Sequence, residues 1–226
     1  MRWSFSKSKN LISNIKIRPK YNNTLAIRGM IPYNSKIDQK NISLFLGPNF
    51  HYVIYPINPN GDFNFIAIIK YKLSKEDQKN YLLFSDENFI KSILNNIPSK
   101  IKEFLDRINE LKIFPVFVSD NFFKTKNNNI HFIGDAFFAF PPSFAQGASQ
   151  SIEGAHELFR SIETNTENNF FENRVSKTKM VNNRSKFNQF AFHLSNPLNT
   201  FLRNIFLKRL VKNKKFLESY LGKIYR

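Results

Sequence analysis

"IGDAFFAFPPSFAQGASQSIEGA", residues 133–155, joins a short apolar run to a helix through two prolines and a Gln-Gly step, and Asp135 is its only charge before Glu153. The chain around it is of another kind: 34 Lys and Arg against 17 Asp and Glu give a formal net charge of +17. Small, neutral residues at the head of a helix suit close approach by a ligand. Glycine reaches backbone conformations that other residues resist, and the unpaired N–H groups of a helix start carry partial positive charge. Gly134-Asp135 alone is a common turn pair. Its continuation, Pro141-Pro142 and then Ala145-Gln146-Gly147-Ala148, gives the stretch its character.

A chain of 226 residues, 42% hydrophobic and with 26 phenylalanines, can bury a large aromatic core. The excess of basic residues fits an anionic surface or a phosphate-bearing ligand, and a compositional lean toward Asn, Lys, Ile and Phe accounts for it equally. There is no cysteine, which rules out disulfides and thiolate metal sites. The start "MRWSFSKSKN" has no signal-peptide apolar region and no stretch is apolar enough to span a bilayer, so a cytoplasmic location, at most membrane-peripheral, is expected. His51, His131, His156 and His193 have no metal spacing, and no nucleic-acid-binding motif is present.

"TLAIRGMIP", "ISLFLG", "HYVIYPI" and "FNFIAIIKY", beginning at Thr24, Ile42, His51 and Phe63 and separated by Pro/Asn/Gly turns, predict an antiparallel meander. Phe89, Ile90, Ile93, Leu94 and Ile97 predict a helix; Ile101, Phe104, Leu105 and Ile108 predict another after a break at Pro98-Ser99. "KIFPVFV" (112–118) and "IHFIGD" (130–135) read as extended. Ala148, Ile152, Ala155, Phe159 and Ile162 predict a helix burying that side, a polar helix is expected from Glu167 to Phe192, and Leu198, Phe201, Leu202, Ile205 and Phe206 form the apolar face of a last one.

The stretch at 133–155 resembles the second FAD-binding fingerprint of the class A flavoprotein aromatic hydroxylases, the salicylate-hydroxylase-like monooxygenases. "GDA", Pro142, "AQGA" and "QSIEGA" stand in the register of that family's Gly-Asp-Ala, Pro-x-x-x-Gln-Gly and Gln-x-Ile-Glu-x-Ala. "LAIRGMIP", "LGPNFHYVIYPI" and "FHLSNP" resemble three further family segments in the same order. The resemblance implies an α/β fold, α+β within this chain. An antiparallel substrate-domain sheet is followed by the C-terminal part of a Rossmann-like FAD-binding domain and closing helices. On that resemblance residues 1–22 would be a lead-in, 23–118 the sheet and its helices, and 119–226 the flavin-domain portion. It implies FAD as cofactor, held by Gly134, Asp135, Pro142, Gln146, Gly147, Ala148 and Ser149, with NAD(P)H as co-substrate and hydroxylation of an aromatic small molecule by O2. Asp135 would accept hydrogen bonds from ribityl hydroxyls, and the amides at 146–148 would stabilise negative charge on the ring.

The pattern also has departures. Phe138 stands where the family has His, and Gly154 where it has Asp. None of the seven glycines forms the G-x-G-x-x-G turn that opens the family's Rossmann unit. The chain is therefore expected to be the C-terminal part of such a protein, which a separately encoded Rossmann chain would complete, or the product of a degraded gene. A non-catalytic basic peripheral protein is the alternative. Arg28 reads equally as a contact for an acidic substrate or as a charge paired on the sheet; His51 and Tyr55, on one strand face, read as substrate-facing or as core. No catalytic side chain is singled out, since the cofactor carries the chemistry. The last helix with Lys208, Arg209, Lys212, Lys214 and Lys215 suits an anionic membrane surface or packing on the flavin domain.

Overall fold

The computed structural model describes residues 9, 12, 18–32, 40–59, 61–95, 97, 99, 101, 102, 107–127, 129–220 and 222–224. Most of the expected lead-in, the turn after Pro32 and the Phe104–Leu105 part of the second helical stripe lie outside them. The chain divides into two units. One is Tyr21–Val116 with Phe192–Ser195; the other is made of Met1–Lys20, Phe117–Ala191 and Asn196–Arg226.

The first unit is built on a sheet of β1 (Lys20–Ile31), β2 (Ser43–Gly47), β3 (Phe50–Pro56), β4 (Phe63–Lys70) and β5 (Asn109–Val118), in the order β2-β3-β4-β1-β5. The expected meander holds for β2, β3 and β4, which pair antiparallel, but β1 lies beyond β4 instead of beside β2. The reason is burial. Phe63, Phe65 and Ala67 of β4 are fully buried, so the most apolar strand takes a central place and needs a neighbour on each side. β1 supplies one, in a register from Thr24↔Lys70 to Ile31↔Phe63 that buries Leu25, Ile27 and Ile31 completely. β5, which carries Pro115, holds an edge, the place in a sheet where proline is tolerated. Gly47 is required at the β2–β3 turn: a Cβ there would lie 2.1 Å from the Phe50 ring. Helix α1 (Glu87–Asn95) follows the predicted stripe, with Ile93 and Ile97 buried and the Asp86 carboxylate accepting from the Phe89 N–H at 2.8 Å.

The second unit holds a one-turn helix α2 (Gly134–Phe137) and then α3 (Gly147–Glu163), α4 (Glu167–Phe192), α5 (Pro197–Leu210) and α6 (Lys214–Tyr220). Its aromatic core stacks Phe138 on Phe122 at 4.4 Å and gathers Phe137, Phe170 and Phe171 around them. In this unit one expectation holds only in part and another fails. "IHFIGD" is no strand: Ile133 has extended dihedrals, yet residues 130–133 form no ladder, since no strand among the described residues lies beside them to complete one. Helix α3 forms as expected but turns its apolar stripe outward, with Ile152 72%, Phe159 58% and Ile162 55% exposed.

The side that α3 buries is Gln150, Gly154 and Ser161, and the cause is Arg174 on α4. This arginine is 3% exposed and meets Glu157 at 3.0 Å and Glu153 at 3.5 Å. Its second terminal nitrogen donates to the Gln150 Oε1 and carbonyl at 2.9 and 3.2 Å. A buried guanidinium must be paired and hydrogen-bonded, and stripping such a group of its partner costs about 3–5 kcal/mol. The polar side of α3 therefore faces in. Gly154 lies over the guanidinium, where an added Cβ would sit 3.5 Å from Nε, an ordinary contact. Glycine inside a helix is about 1 kcal/mol less favourable than alanine. Gly154→Ala is thus expected to raise stability by about 0.5–1 kcal/mol, measured as a higher urea midpoint; a lower midpoint would mean that Arg174 cannot share the space.

Candidate functional site

From Ile133 to Ser149 the helical unit makes one continuous corner. Gly134 has φ +57, and a Cβ on it would stand 2.6 Å from the Ser151 Oγ, so both backbone and space demand glycine. Phe138 donates its N–H to the Gly134 carbonyl at 3.0 Å, which closes α2 with Asp135 in its first turn. The chain then runs through Ala139, tied to Ser119 by two hydrogen bonds at 2.7 and 3.0 Å, and through a 3-10 turn at Pro142–Phe144. Ala145 follows in the left-handed region, φ +53, and Gln146 is the N-cap of α3. Asn188 of α4 holds the turn by donating to the Ser143 carbonyl at 3.3 Å.

This geometry brings Gly134, Asp135, Pro142, Gln146, Gly147, Ala148 and Ser149 into one segment. Asp135, Pro142, Gly147 and Ala148 are exposed, Ser149 is half-buried and Gln146 is buried. No side chain caps the first turn of α3, which leaves its N–H groups without a side-chain acceptor there, and a Cβ on Gly147 would meet nothing within 4 Å. Among the described residues Asp135 has no hydrogen-bond or ion-pair partner, although the chain is strongly basic. Protein atoms around its carboxyl reduce its solvation and hold its pKa above the usual carboxylate value. Behind the corner lies a crevice of about 10 Å³ lined by Gly134, Asp135, Phe138, Gln150, Gly154 and Arg174 among others, room for about one water. Any larger ligand must therefore lie on the outer side of the turn. The Phe138 departure sits in the core and does not face that side.

The sheet unit holds the other three candidates. Arg28, opposite Ile66 in the ladder, is exposed, and among the described residues it has no ion-pair partner. Tyr55 is half-buried. His51 is 3% exposed, and its Nδ1 lies 2.8 Å from the Nε2 of His193, one ring donating and the other accepting. The backbone adds a bond from the Asn49 N–H to the His193 carbonyl at 3.2 Å. The "LGPNFHYVIYPI" hairpin and the "FHLSNP" segment, 142 residues apart, are thus locked to each other. Burial first, then the neighbouring ring, lowers the His51 pKa to about 3; burial first, then Lys70, lowers that of His193 to about 4.

Sequence reasoning missed Arg174 and His193. The signal for Arg174 is the spacing of Phe170, Arg174, Thr178, Val181, Asn182 and Ser185, one buried helical side with only two apolar members. For His193 the signal is a second histidine in a segment already matched beside that of His51.

The fold is shared with solved structures of low sequence identity. HpxO of Klebsiella pneumoniae, complexed with FAD and uric acid, superposes with a TM-score of 0.77 at 11% identity over 98% of this chain and 58% of its own. A salicylate hydroxylase substrate complex gives 0.63 at 16% identity over 86% and 54%, and the tetracycline destructase Tet(51) gives 0.64 at 14% over 98% and 59%. The chain therefore spans under two thirds of the length of these proteins. No protein-family profile and no curated protein sequence matches it.

The histidine pair carries a pH prediction. Both folded pKa values lie below the ordinary 6.5, so the unfolded chain binds more protons between about pH 4 and 6.5, and stability falls as pH drops through that window. His51→Gln combined with His193→Gln should flatten the fall in urea midpoint between pH 7 and pH 4; an unchanged slope would assign the loss to other groups.

Proposed function

We propose that this chain is the flavin-facing portion of an FAD-dependent monooxygenase that hydroxylates an aromatic small molecule with NAD(P)H and O2. One observation carries the reading. The outward-facing corner has an exposed acceptor, Asp135, with no hydrogen-bond partner among the described residues at one end and a helix start without a side-chain cap, Gly147–Ser149, at the other, in a fold shared with an FAD-complexed protein. The donor and acceptor types fit FAD. Asp135 would accept hydrogen bonds from ribityl hydroxyls, Gly134 would let the backbone come close, and Pro142 and Gln146 would fix the shape of the turn between them. The amides of Gly147, Ala148 and Ser149 would stabilise negative charge on the isoalloxazine by the partial charge of a helix N-terminus. When bound, the flavin supplies the redox and oxygen chemistry.

In the sheet unit, Arg28 and Tyr55 are the groups proposed to meet substrate. His51 is committed to His193 and would act as a positioning residue for the hairpin that carries Tyr55. The outward apolar stripe of α3 supports a further part of the reading, a separately encoded Rossmann chain that covers Ile152, Phe159 and Ile162 and grips the dinucleotide.

Co-expression with a chain bearing a G-x-G-x-x-G unit is expected to yield co-purifying yellow flavin. Asp135→Ala should lower its retention by about tenfold, the worth of a hydrogen bond to a charged group. Retention unaffected by that substitution, or no flavin from the pair, would contradict the reading.

A further inference from the structure

Helix α5 carries Leu198, Phe201, Leu202, Ile205 and Phe206 on a single stripe, and that stripe does not pack on the protein: these residues are 65, 61, 52, 37 and 67% exposed. The helix is held by its opposite side, where Thr200, Arg203, Leu207 and Leu210 are partly covered and Arg203 donates to the Ala191 carbonyl at 3.2 Å. Phe187 and Phe190, near the end of α4, are also exposed, at 63 and 67%. Lys208, Arg209, Lys212, Lys214 and Lys215 follow the stripe directly and all are exposed, while Glu218 is the one acidic residue from Pro197 to Arg226.

We infer that α5 and the basic segment after it form a docking surface for an anionic lipid bilayer. An apolar stripe alone would suit several partners; the charge beside it selects among them. Five cations beside the stripe, against the single acid Glu218, call for a surface of opposite charge. Anionic headgroups neutralise them, while the acyl boundary takes up the phenylalanines and leucines. Among the described residues no helix is long and apolar enough to cross a membrane, so α5, with 14 residues, lies in the interface plane. The inference does not rest on the flavin reading and concerns different residues.

The test is co-sedimentation of the full chain with vesicles of phosphatidylcholine alone and of phosphatidylcholine mixed with phosphatidylglycerol, at low and high salt. The expected result is binding to the anionic vesicles at low salt that weakens as salt screens the charges and is much weaker on the neutral ones. Phe201→Glu combined with Phe206→Glu, both on exposed positions, should keep the helical circular dichroism and lower partitioning by about tenfold or more. Lys208→Gln, Arg209→Gln and Lys212→Gln together should weaken binding and flatten its salt dependence. No binding to anionic vesicles at low salt would overturn the inference. So would undiminished binding of the Phe201/Phe206 variant, which would assign the attraction to net charge alone. A dimer in light scattering that the same variant splits, with no lipid binding, would assign the stripe to a second copy.

Discussion

Arg174 is the constraint around which the helical unit is arranged. A guanidinium 3% exposed is a charge that water no longer solvates, and it exists there because Glu153, Glu157 and Gln150 all come from one side of α3. Lys177, 3.2 Å from Glu153, extends the same network. To form it α3 must rotate its polar side inward, and two features follow. Gly134 of α2 is pressed to Ser151 of α3, which fixes the corner with Asp135 at the helix head. The apolar stripe of Ile152, Phe159 and Ile162 is left outside.

The sheet unit is held by different physics. Its strands follow ordinary burial, with β4 central and its Phe63, Phe65 and Ala67, all on one face, fully buried. The polar tie there is the His51–His193 bond, neutral because burial disfavours the protonated form of either ring. Segments far apart in sequence are joined in both units by buried polar groups: Gln150 to Arg174 in one, His51 to His193 in the other. Such groups specify a unique pairing, since any slipped arrangement would leave one of them unsatisfied.

Strands with clear punctuation were readable from the chain: β2, β3 and β4 lie where turn signals at Gly47–Asn49 and Asn58–Asp62 bound apolar runs, and the long polar helix spans Glu167–Phe192 as expected. Pairing order was not, because β1 is equally apolar whether it lies beside β2 or β4, and only the burial of β4 decides. "IHFIGD", read as extended, keeps that geometry at Ile133 but forms no ladder and turns helical at Gly134: a strand is a property of two segments, and no partner lies among the described residues. The stripe of α3 misled because hydrophobicity measures what a side would gain from burial. One buried charge with three partners on the other side outweighs that gain. The candidate corner was legible since its residue types, Gly134, Asp135, Pro142 and Gln146-Gly147, carry their conformational meaning locally.

The measurement that bears most directly on this arrangement is amide hydrogen exchange on the chain with Arg174→Lys, which keeps the charge but loses the planar fork that reaches Gln150 and both glutamates at once. The account predicts faster exchange across Gly147–Glu163 and in the turn from Gly134 to Phe138, with protection in β3 and β4 unchanged. Native-like protection throughout α3 would contradict it, and would mean that something other than Arg174 orients the helix and poises the corner.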